Sequence, residues 1–122
     1  MNLFAGLGAL NGFFAVALAA LGTHGLADGA TAAQMATFHK ATYYQMVHGL
    51  ALIGVGWLST AKPGKWAQLA GWAFLLGIGL FCGSVYSIGF TGARTFAPAA
   101  PIGGTLLMVG WLAMAVAAFK RA

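Results

Sequence analysis

Carboxylates are almost missing from this chain: among 122 residues only Asp28 is acidic, and there is no glutamate. That excludes a two-carboxylate acid–base mechanism and a Glu-x-x-His di-iron site. Charge of either sign is scarce, at 6% of residues against the roughly 25% of a soluble domain. A single cysteine, Cys82, lies in an apolar stretch, so one chain has no disulfide framework and no CxxC site. Redox compartment does not follow from it. No G-x-S-x-G elbow, Walker loop or dinucleotide fingerprint is present. The net charge of +5 comes from Lys40, Lys62, Lys65, Arg94, Lys120 and Arg121, which form no patch or stripe, so nucleic acid is excluded as a partner.

What remains is 61% hydrophobic, with a mean hydropathy of +0.86. The chain therefore reads as one membrane domain over 1–122: an all-α, polytopic protein with a four-helix transmembrane bundle, its helices spanning about 3–21, 32–58, 66–90 and 102–119. The small residues at 15–20 resemble a signal-peptide cleavage region. No basic segment precedes the apolar run, however, so the first segment is read as a retained helix. Residues 22–29 form a glycine-punctuated turn, and Thr31 with Gln34 has capping-box spacing at the start of the second helix. That helix reaches ~40 Å at 1.5 Å per residue, and its polar first third projects at the outer interface. Trp57 and Trp66 flank the basic turn at 59–65 as interface anchors. Pro101 suits the first turn of the fourth helix.

Small residues recur on helix faces. Gly8 and Gly12 on the first helix, Gly79 and Gly83 on the third, and Gly103 and Gly110 on the fourth are the expected close-packing positions. Such stripes specify contact between helices, within one chain or between copies, and a homo-oligomer is an open expectation. Asn11 is the one polar side chain inside the first span, and a hydrogen bond to another helix is expected for it.

Four crossings put both termini and the Lys62/Lys65 turn on one side. That side also holds Lys120 and Arg121, against Lys40 and Arg94 on the other. The positive-inside rule then predicts cytoplasmic termini. His24, Asp28, Arg94 and the start of the second helix fall at the outer face.

The polar residues concentrate at 38–52. At 100° per residue, His39 and His48 are about 180° apart, so an unbroken helix cannot bring both to one ion. His24 could join one of them, with Asp28 or a tyrosine as a further ligand, but the spacing is poor and no metal or other cofactor is expected. Tyr44, Gln45 and His48 share a face that should turn toward protein rather than lipid. Ser84 and Tyr86 of the third helix lie near the same end and are candidate partners. Two readings stay open: a hydrogen-bonded network that fixes helix register, or a polar pocket for a quinone, a lipid headgroup or a small solute. His24, Asp28, His39, Lys40, Tyr43 and Arg94 are secondary candidates, with Lys40 expected to snorkel to the interface.

The order Gly22-Thr23-His24-Gly25-Leu26, then Phe38, Ala41, Tyr44-Gln45 and His48-Gly49-Leu50-Ala51-Leu52, resembles a family of small bacterial inner-membrane proteins, domain of unknown function 423. Gly83-Ser84-Val85-Tyr86, Thr91-Gly92, Pro101-Ile102-Gly103-Gly104 and Gly110-Trp111 extend the resemblance over nearly the whole chain. Thr23 departs from the usual alanine. The family is related to a small eukaryotic transmembrane protein. The resemblance implies a four-helix membrane protein and no particular reaction.

On function, the leading expectation is a non-enzymatic structural or accessory bundle with membrane lipid as its surroundings. A transporter or channel formed by an oligomer is one alternative. A protein that binds quinone, lipid, haem or metal is another.

Overall fold

The computed structural model describes residues 2–25 and 29–120, apart from the side chains of residues 24 and 25. Four helices account for almost all of it: Leu3–Gly25, Ala32–Ala61, Lys65–Thr91 and Ala99–Phe119. The first, third and fourth are long and apolar enough to cross a membrane. The second carries the polar segment and is the longest, at 30 residues. In chain order each helix packs on its neighbour, first on second, second on third and third on fourth.

Local chemistry explains the ends. Thr31 Oγ1 accepts from the Gln34 amide at 3.1 Å and Gln34 Oε1 accepts from the Thr31 amide at 2.9 Å, which closes a reciprocal cap on the second helix. Gly92 ends the third helix in the left-handed region, φ 74°, and its N–H donates to the Ile88 carbonyl at 2.7 Å. The first helix runs on past Leu21 to Gly25, beyond the end that the glycines suggested. Gly22 does not stop it, because its bare Cα serves packing: a Cβ there would lie 2.6 Å from Phe38 Cδ1. The fourth helix begins at Ala99, so Pro101 sits within its first turn, where a missing N–H costs nothing.

The third helix contains a feature the sequence did not announce, a π turn at Ile78–Cys82. Gly103 of the fourth helix lies against it, close enough that a Cβ would come within 2.8 Å of Phe81 Cα. Ser84 Oγ donates to the Phe81 carbonyl, three residues back within the turn, at 2.9 Å. The core centres on Phe74, Leu52 and Val55, all without exposed surface. Gly110 accommodates the Phe74 ring, and Gly8 meets Gly49 backbone to backbone. Large apolar side chains point outward around the bundle, among them Phe13 (64% exposed), Met108 (67%) and Leu112 (69%). A surface of that kind suits a hydrocarbon solvent.

Candidate functional site

The second helix brings Gln45 and His48, both buried, to its inner face. Two hydrogen-bonded chains start from them. In the first, Gln45 Nε2 donates to Asn11 Oδ1 at 3.1 Å, and the Tyr86 hydroxyl donates to Gln45 Oε1 at 2.7 Å. Asn11 in turn donates to the Leu7 carbonyl one turn back at 2.9 Å. One glutamine thus ties the first, second and third helices together.

The second chain runs through His48. An indole N–H can only donate. Trp111 Nε1 lies 3.0 Å from His48 Nε2, so Nε2 is the acceptor and the ring proton sits on Nδ1, which donates to the Tyr44 carbonyl at 2.7 Å. Both ring nitrogens are engaged and neither offers a lone pair to a metal. Around this imidazole, Tyr44 stacks nearly parallel (ring centroids 5.8 Å, 7° between planes), while Phe74 and Trp111 each lie at 5.7 Å. The Tyr44 hydroxyl has no hydrogen-bond partner among the described residues.

The other sequence candidates are distributed as follows. Ser84 is buried but its hydroxyl belongs to the π turn and does not reach Gln45 or His48. His39 is exposed on the far side of the helix from His48, edge-on to Phe38 at 6.3 Å, while Tyr43 is exposed and lines a groove together with His48. Lys40 and Arg94 are exposed and line one cavity of about 240 Å³. The His24 side chain and Asp28 lie outside the described residues. No cluster of three or more His, Cys, Asp or Glu side chains occurs among the described residues. Of the glycines, Gly8, Gly103 and Gly110 lie at close approaches to other helices; a Cβ on Gly12 would meet Met46 Sδ at 4.0 Å, and a Cβ on Gly79 or Gly83 would meet nothing within 4 Å among the described residues.

Trp111 is the residue that reasoning from the sequence passed over. It appeared only as part of a Gly-Trp pair. The available signal was its depth: a tryptophan well inside an apolar helix lacks the wet boundary that its N–H ordinarily uses, so it needs a buried acceptor. His48 is that acceptor.

An all-helical bundle with an apolar exterior and an internally paired polar core defines a small polytopic membrane protein. The chain matches, over residues 18–104, the family described as protein of unknown function (DUF423), and it belongs to that family. It is 42% identical to a UPF0382 membrane protein of Staphylococcus epidermidis over 124 residues, covering 100% of this chain and 99% of the relative. A UPF0382 membrane protein of Haemophilus influenzae is 39% identical over 119 residues, covering 98% of this chain and 95% of the relative. No solved structure matches the chain.

Proposed function

We propose that the protein is a non-enzymatic structural or accessory component of the bacterial inner membrane, whose buried polar groups hold helices in register. The observation that carries this reading is the closure of both polar chains. Asn11, Gln45 and Tyr86 satisfy one another, and His48 has Trp111 on one nitrogen and the Tyr44 carbonyl on the other. A catalytic or conducting site needs polar atoms that are free to meet a substrate or ion.

The reading includes four crossings with cytoplasmic termini. At 30 residues and about 1.5 Å per residue, the second helix exceeds the ~30 Å hydrocarbon core and can span it with its polar first turns outside. The cations are arranged in keeping with this. Lys62 Nζ donates to the Ala118 and Lys120 carbonyls at 2.6 and 3.0 Å, and Lys65 and Lys120 both lie over the Trp66 ring, which gathers three lysines at one end. Lys40 and Arg94 line one cavity at the other. Self-association through the open Gly79/Gly83 face belongs to the same reading, since a Cβ at either position would meet nothing within 4 Å among the described residues.

The test is reconstitution of the full chain into liposomes with a panel of ions and small solutes. The expected result is no flux above that of empty liposomes. Flux that disappears in a Gln45→Ala/His48→Ala variant that still folds would overturn the reading in favour of a pore or carrier.

A further inference from the structure

Beside the closed polar chains, and walled in part by the Tyr44, His48 and Trp111 of the second, lies a groove of about 650 Å³ between the second and fourth helices. Its walls are Tyr44 and His48 on one side and Gly104, Met108 and Trp111 on the other, with Phe81 of the π turn among the lining residues. The smaller cavity that Lys40 and Arg94 line shares Phe81 and Ala100 with it, so the two adjoin as the parts of one cleft. π turns of this kind recur at functional sites.

The cleft changes character along its length. Lys40, Tyr44 and His48 stand on successive turns of one face, so the cation lies about 12 Å from the imidazole level at 1.5 Å per residue. At the top are two cationic side chains, and none of the described residues is acidic. One turn down is the Tyr44 hydroxyl, a donor without a partner among the described residues. Below that the walls are aromatic and aliphatic. An occupant must therefore carry an anion at one end, an acceptor next to it and a long apolar tail.

We propose that this cleft is a binding site for one anionic glycerophospholipid: the phosphate between Lys40 and Arg94, a glycerol ester oxygen accepting from Tyr44, and an acyl chain along the groove toward Trp111. Charge complementarity selects the headgroup, and the apolar groove adjoining the cationic cavity selects a lipid over a free anion. The inference goes beyond the structural role proposed above and does not rest on it.

The test is native mass spectrometry of the full chain released from detergent micelles, titrated with phosphatidylglycerol and with phosphatidylcholine of identical chains. One phosphatidylglycerol per chain is expected, held at least tenfold more tightly than phosphatidylcholine. Each cation near a membrane surface contributes roughly fivefold, so Lys40→Gln/Arg94→Gln should weaken phosphatidylglycerol about thirtyfold and abolish the preference. Both side chains are exposed, so this variant should fold, with unchanged helicity as the check. Gly104→Leu, whose Cβ has room 3.8 Å from Phe81, should obstruct the groove and weaken both lipids. As a control, Lys65→Gln/Lys120→Gln at the opposite end should leave phosphatidylglycerol binding unchanged. Equal retention of the two lipids, an equal loss in the control variant, displacement by millimolar inorganic phosphate, or a lipid-free dimer that Gly104→Leu dissociates would each overturn the proposal.

Discussion

Two glycines on one turn of the first helix give the cleanest test of how this bundle is packed. A Cβ placed on Gly8 would lie 2.6 Å from the Gly49 carbonyl oxygen and 2.9 Å from the Ile53 backbone nitrogen, whereas one placed on Gly6 would meet nothing within 4 Å. Ordinary contact begins at 3.4 Å, so Gly8→Ala forces the first and second helices apart by several tenths of an ångström, and the obstructing atoms are backbone that cannot swing aside. Overpacking of this kind costs about 1–3 kcal/mol. Alanine also has a higher helix propensity than glycine, by up to ~1 kcal/mol. That gain is common to both positions, so the difference between the variants isolates the clash. Gly6→Ala should be neutral or slightly stabilised, and Gly8→Ala should lie about 1–3 kcal/mol below it. Titration of the purified chain with dodecyl sulfate in mixed micelles, followed by far-UV circular dichroism, reads both. Variants equal within about 0.5 kcal/mol would refute the backbone-to-backbone contact of Gly8 with Gly49.

The remaining expectations concern the second polar chain, assembly and threading. Trp111→Phe leaves His48 Nε2 without its donor and should destabilise by about 0.5–1.5 kcal/mol in the same titration, with His48→Ala costing more because the ring itself is buried packing. Gly79→Leu or Gly83→Leu should reduce cross-linked oligomer in membranes while leaving the monomer's helicity intact, because a Cβ at either position meets nothing within 4 Å among the described residues. In a Cys82→Ser background, cysteines at positions 40 and 94 should react with an impermeant maleimide added outside cells. Cysteines at positions 62 and 65 should react only after lysis, and the reverse labelling would contradict cytoplasmic termini.

Much of the fold is visible in the sequence because hydrocarbon imposes strong local rules. Apolar runs of about 20 residues mark three helices outright, and Thr31 with Gln34 marks the start of the longest. The ends were less legible. Gly22 looks like a stop, but its role depends on Phe38 of another helix, and no local pattern encodes that contact. The π turn likewise answers to Gly103, which approaches it from the fourth helix. For the polar residues, helical phase separates His39 from His48. It gives no means of knowing that Ser84 bonds within its own turn or that Trp111 reaches His48 across the bundle. Pairings between helices depend on rotation about each axis, which small residues permit at several angles. That is also why the spacing of Gly79 and Gly83 could not say whether their partner lies in the same chain.

Whether the buried polar residues hold the bundle together is decided most directly by a double-mutant cycle on Gln45 and Tyr86, with stability measured for Gln45→Leu, Tyr86→Phe and the pair. The 2.7 Å bond between them predicts a coupling energy near ~0.6 kcal/mol and up to ~1.7 kcal/mol, with every variant remaining helical. Strictly additive losses, within about 0.3 kcal/mol, would contradict the account.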